Sequence, residues 1–125
     1  MNEPPTSDQP AYNLSSALAR LGGNRELLYE MIDFYLEDYE TLLQRIDAAA
    51  EAGDPIALKR GAHSLKGLAA NFDGVEVVES ANTVIQASQD GFGRAPWDEI
   101  KGLSKAANQL AEQLQANRND KESSG

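Results

Sequence analysis

Apolar residues recur along this chain at intervals of three and four, with polar residues filling the gaps. The clearest run is Leu28, Ile32, Tyr35, Tyr39, Leu42, Ile46 and Ala49, which steps by four and three alternately. At about 3.6 residues per turn such a stripe stays on one side of a helix, as the seam of a bundle does. Leu27, Met31 and Phe34 widen it near its start, while Glu30, Asp33, Glu37, Glu40 and Asp47 lie outside it. Asn24 is a good N-cap and Gly53 a stop, so the pattern predicts a helix from about residue 24 to 52. A short helix precedes it from Leu14 to Leu21, ended by Gly22-Gly23. Asp54-Pro55 reads as a cap followed by a first-turn proline, opening a third helix that runs to about Phe72. Leu58, Ala62, Leu65, Ala69 and Phe72 form its apolar stripe. Asp73-Gly74 breaks the pattern. A fourth helix follows from about Val75 to Gln89, with Val78, Ala81, Ile85 and Ser88 inward. The stretch Asp90 to Pro96 is a loop by composition. A last helix runs from Trp97 to about Ala116, with Ile100, Leu103, Ala107, Leu110 and Leu114 inward. No segment alternates as a strand does.

These elements define an all-α protein, an antiparallel four-helix bundle with a short additional N-terminal helix. Residues 1–12 hold three of the five prolines and read as a flexible leader or linker. Residues 13–117 make the bundle, and 118–125, polar and ending in Ser-Ser-Gly, are expected as a disordered tail.

Composition narrows the function classes. The 125 residues fit one domain, and the absence of cysteine excludes disulfides and thiolate metal sites. A net charge of -9 opposes binding to nucleic acid, because phosphate backbones repel an acidic chain. No apolar run approaches the roughly 20 residues of a membrane span, and no secretory signal opens the chain. A cytoplasmic monomer, bound neither to nucleic acid nor to membrane, is the expectation.

One place carries chemistry. The single histidine, His63, falls in the middle of the third helix. A lone histidine is ordinarily a core or surface residue with no special task. At ~100° per residue, however, His63 points about 140° away from the middle of the buried stripe and should face solvent. Lys59, Lys66, Gly67 and Ala70 lie within two turns on the same side. Between Pro55 and Phe72 there are two lysines, one arginine and no acid, a cationic island in an acidic chain. An ammonium at the position of Lys66, three residues from the imidazole, suits the negative charge that builds on the oxygens of a transferred phosphoryl group. Taken alone, Lys66 would read as a solvated helix lysine. Gly67 costs the helix roughly 1 kcal/mol against alanine; a side chain there would obstruct approach to the imidazole. Gly61 carries the same cost but points to the edge of the buried stripe, where helix contact explains it. Ser64 lacks the base and orienting group that a nucleophilic serine needs.

The run Ala62-His63-Ser64-Leu65-Lys66-Gly67-Leu68-Ala69-Ala70-Asn71-Phe72 resembles the signature of histidine-containing phosphotransfer (HPt) domains, His-x-x-Lys-Gly followed by small residues, Asn and an apolar residue. Phe34-Tyr35-Leu36 and the Gly53-Asp54 break are similar to that family's lead-in, and the likeness extends from about Tyr12 to Ala116. The resemblance implies that His63 is the phosphoacceptor, that Lys66 steadies the phosphoryl oxygens and that Gly67 keeps the site open. It also implies partners: receiver domains of response regulators or hybrid histidine kinases, whose aspartates give and take the phosphoryl group in two-component phosphorelays. The chain itself would need no cofactor or metal, since the Mg²⁺ sits on the receiver. Lys59, Ile56 and Ala70 are the expected docking contacts, with Leu68 a weaker candidate because partial burial explains it. Two positions depart from the family's pattern. Asp73 stands where glycine usually follows the apolar residue. The family's polar neighbour on the next helix falls on Ile85 without a gap, or on Gln86 with one extra residue in the turn; Gln86 is the preferred match.

No P-loop, nucleotide-binding glycine loop or kinase motif occurs, so the chain is expected not to phosphorylate itself from ATP. Two other readings share the fold. A helical adaptor would use the histidine face for docking and carry no phosphate. A metal-binding bundle would need several inward ligands, such as Glu-x-x-His pairs, which are missing from the pattern.

Overall fold

A computed structural model describes residues 14–89 and 93–124 of the chain. The expected leader, and Asp90, Gly91 and Phe92 of the expected loop, lie outside the described residues. The elements are α1 (Leu14–Arg20), α2 (Arg25–Glu51), α3 (Pro55–Ala70), α4 (Val75–Ser88) and α5 (Trp97–Ser124), with no strand among the described residues. Two starts are capped as their residue types dictate. Asn24 accepts the Leu27 amide at 3.0 Å, and Asp54 accepts the Ala57 amide at 3.1 Å with Pro55 in the first helical turn. Each cap satisfies an amide that no helical carbonyl reaches, a contribution of about 1 kcal/mol.

The four long helices close into a ring, α3 packing on α2 and α4, and α5 on α4 and α2. Tyr35 meets Ala107 while Asp33 meets Arg118, so α2 and α5 run antiparallel. The α3 stripe is buried as its spacing requires: Leu58, Ala62, Leu65, Ala69 and Phe72 are all fully enclosed. At the centre the Tyr35 hydroxyl donates to the Ala107 carbonyl at 2.9 Å. Its ring stacks on Tyr39 with centroids 5.3 Å apart, and meets Phe72 edge-on at 6.1 Å. Burial first, then the neighbouring Tyr39, raise the Tyr35 pKa far above its ordinary value, so the hydroxyl remains a donor.

Three expectations are corrected. In α4 the buried residues are Val77, Ala81, Val84 and Ser88, with Val78 and Ile85 half-buried on the flank. The pairs Val77-Val78 and Val84-Ile85 make a wide apolar face whose centre periodicity alone does not locate. α3 ends at Ala70, and Phe72 enters the core from the turn. α5 continues through Ser124 rather than ending near Ala116, so residues 118–124, expected as a disordered tail, are helical. Arg118 ties that extension to α2 through two bonds to the Asp33 carboxylate, at 3.0 and 3.2 Å, and lies over the Tyr29 ring. Once nucleated, a helix extends through polar residues at little cost.

The turn between α3 and α4 accounts for the Asp73 departure. Asp73 is left-handed at φ 52, a conformation aspartate tolerates better than most residues. Its carboxylate meets Arg20 of α1 at 3.2 Å, and Arg20 also donates to the Asn71 carbonyl at 3.0 Å. The tight position is the next one, Gly74. A Cβ on Gly74 would stand 3.1 Å from both the Ala69 carbonyl and Leu110.

Candidate functional site

α3 separates its residues sharply. With the stripe held in the core against α2 and α4, the opposite side carries His63, exposed, with no hydrogen bond or ion pair to another described residue. At ~100° per residue, Lys59 and Lys66 flank it on one side while Arg60 and Gly67 flank it on the other. Lys59 and Arg60 are exposed and Lys66 is half-buried. The ion pairs among the described residues are Arg20–Asp73 and Arg118–Asp33, so none of these three cations is neutralised by a carboxylate within 4.0 Å. Their charge is free to act on whatever approaches the imidazole.

The two helical glycines of α3 are there for different reasons. A Cβ on Gly61 would lie 2.9 Å from Cγ1 of Ile46, so close approach of α2 demands glycine. A Cβ on Gly67 would have nothing within 4 Å. Nothing inside the fold repays the helix for Gly67. Gly102 of α5 is open in the same sense, so openness alone marks no site; Gly67 stands out because it adjoins the histidine.

The other expected contacts are distributed around this centre. Ala70 is exposed one turn beyond Lys66, and Ile56, in the first turn of α3, is 69% exposed. Leu68 is half-buried. On α4, Ile85 is half-buried against the core and Gln86 is exposed, with no side-chain hydrogen bond to a described residue. The far flank of α4, with Glu76, Glu79 and Ser80, borders α5, so Ile85 lies on the flank toward α3 and Gln86 projects more directly into solvent.

One feature was not anticipated from the sequence. A furrow between α2 and α3 runs beside His63, lined by Ser64 and Gly67 of α3 and by Leu42 and Arg45 of α2. Arg45 interrupts the acidic exterior of α2, a signal visible in the sequence only once that face is known to border α3. No group of three histidine or carboxylate side chains able to hold a metal occurs among the described residues. Nor, among the described residues, is any helix long and apolar enough to cross a membrane.

An all-helical bundle presenting a solvent-facing histidine among unpaired cations defines a class of protein, and comparison with known proteins identifies it. The family model of the Hpt domain matches residues 30–120, more than half of the chain. The chain belongs to the Hpt domain family. Its fold is similar to the crystal structure of histidine-containing phosphotransfer protein B (HptB) from Pseudomonas aeruginosa PAO1, with a TM-score of 0.79 over 90% of this chain and 98% of that one. Identity to it is 22%, so this second likeness is one of fold. No curated protein sequence matches the chain.

Proposed function

We propose that this protein is a phosphorelay intermediate that carries a phosphoryl group on His63 between aspartates of receiver domains. The neutral imidazole, through Nε2, attacks the phosphorus of a receiver's aspartyl phosphate in line. The new N–P bond forms as the acyl P–O bond breaks, the aspartate leaves as carboxylate, and phosphohistidine remains on this chain. Return to a second aspartate is the reverse. Lys66 offsets the charge on the phosphoryl oxygens, and Gly67 leaves room for the receiver's acidic pocket, which brings the Mg²⁺. Lys59, Ile56 and Ala70 contact the receiver, and Gln86 is the polar neighbour offered by α4. The protein has no ATP-dependent kinase activity of its own and works as a cytoplasmic monomer. What carries the reading is an exposed, unbonded histidine beside unpaired lysines in a chain of the Hpt domain family.

The test is incubation of the purified chain with phosphorylated receiver domains, following acid-labile phosphate. Label that appears on the wild type and not on His63→Gln supports the relay. A folded wild type that takes no label from a broad panel of receivers favours the adaptor reading.

A further inference from the structure

A second groove runs between α4 and α5, away from the histidine. The start of α4 adjoins the later part of α5, since a Cβ on Gly74 would lie 3.1 Å from Leu110, and the end of α4 leads into the start of α5. The two helices therefore run antiparallel. Between them lies a hollow of about 360 Å³, walled by Glu76, Glu79 and Ser80 on α4 and by Gly102, Lys105 and Ala106 on α5. No residue of α3 lines it, so His63 stands outside. Its walls differ in sign, with two carboxylates on one and an ammonium on the other. Glu76, Glu79 and Lys105 are exposed, and none is in an ion pair with a described residue. Gly102 is exposed as well, and a Cβ there would have nothing within 4 Å, so nothing within the fold repays the helix for it. That openness marks no site by itself; the charge order beside it gives it a use.

We propose that this groove is a contact between two copies of the chain, related by a two-fold axis along the groove, with Glu79 of each copy paired to Lys105 of the other. Such an axis lays α4 of each copy over α5 of the other. Residues level with one another across the groove then meet in the pair, and each contact forms twice, as a self-complementary surface requires. The acidic wall faces the basic one. Copies stacked with α4 over α4 would instead set Glu76 and Glu79 against their own kind. Ser80, Gly102 and Ala106 carry no long side chain, so the backbones can come close. On this account Gly102 is glycine for the reason that Gly61 is, except that the crowding helix belongs to a second molecule. Two chains of net charge -9 repel at long range, and the contact is small and polar. Pairing is therefore weak and sets in as concentration rises. The dilute protein is a monomer, one chain suffices for transfer, and both histidines stay accessible in the pair.

The experiment is sedimentation of the full chain over a range of concentrations, for wild type, Glu79→Lys, Lys105→Glu and Gly102→Leu, with thermal unfolding to show that each folds. Wild type should move from monomer toward dimer mass between roughly 10 and 500 μM. Each charge reversal alone should weaken pairing about tenfold or more. Mixed in equal amounts, the two reversed variants should pair about as well as wild type, because one chain then offers two lysines and the other two glutamates. A merely structural role for either residue would not be rescued in this way. Gly102→Leu should block pairing with no loss of thermal stability, since leucine suits an exposed helical position better than glycine does. Monomer mass for wild type up to about 500 μM would overturn the proposal. So would single reversals that pair within about twofold of wild type, or a mixture that stays monomeric while wild type pairs. Receivers should label His63 equally fast whether or not the wild type is paired. Slower labelling of the paired wild type, absent from Gly102→Leu at the same concentration, would place the contact over the histidine and equally overturn it.

Discussion

The inner and outer faces of α3 belong to one helix and answer to different constraints. On the inner face Leu58, Ala62, Leu65 and Ala69 are fully enclosed, and Gly61 is glycine because Ile46 stands 2.9 Å from where its Cβ would be. Every residue there is explained by its neighbours. On the outer face Gly67 has nothing within 4 Å of a Cβ, His63 bonds to no described residue, and Lys59, Arg60 and Lys66 have no carboxylate partner among the described residues. The fold accounts for none of these choices. Residues that cost stability, or add nothing to it, point to a requirement outside the chain.

Substitutions should therefore separate the two faces, one affecting stability and the other transfer. Gly61→Val forces a branched side chain against Ile46 and should destabilise by about 1–3 kcal/mol in urea unfolding, leaving His63 reactive in the molecules that remain folded. A Gly61 variant of unchanged stability would mean that α2 yields easily, and the contrast between the glycines would weaken. Lys66→Ala should alter stability by no more than about 0.5 kcal/mol. It should slow phosphoryl acceptance roughly tenfold, less than loss of an enclosed oxyanion donor costs because Lys66 is only half-buried. Quench-flow of receiver-to-protein transfer reads this directly. Gly67→Ala is the sharpest test of the outer face: it should raise stability by up to about 1 kcal/mol while slowing transfer from the receiver. Stabilisation without slowing would remove Gly67 from the site.

The smallest effect concerns α1. A hydrogen bond from Ser16 and, behind it, the Arg20 guanidinium hold the Asp73 carboxyl below its usual range, outweighing an opposing effect of burial. A depressed folded-state pKa contributes stability above the unfolded value of 3.8, and that contribution disappears as pH falls through the lower, folded-state value. Asp73→Asn should therefore flatten the acid limb of the stability profile slightly, below about pH 4. Identical acid limbs in the two proteins would show that the carboxylate contributes nothing there.

Much of this was legible in the sequence. The α3 and α5 stripes, the Asn24 and Asp54 caps, the outward His63 and the helix-contact role of Gly61 all follow from spacing and residue type, because each is decided within a few residues. What escaped depends on residues far apart. The rotation of α4 is set by which of two adjacent valines its neighbours admit. The contact that ties the end of α5 to α2 joins Arg118 to Asp33, 85 residues away in the chain. The α2–α3 furrow exists because small residues on two helices face each other, which leaves Arg45 and Arg60 beside the same hollow. The Asp73 departure made sense only when Gly74 proved to be the crowded position and Arg20 the partner.

The most direct measurement locates the phosphoryl group. After transfer from a receiver, ³¹P NMR and mass spectrometry of the intact chain should find one phosphoramidate, on His63 and on no other residue. His63→Gln should carry none while unfolding at the same urea concentration as wild type. Phosphate on another side chain, or label that persists in His63→Gln, would contradict the account.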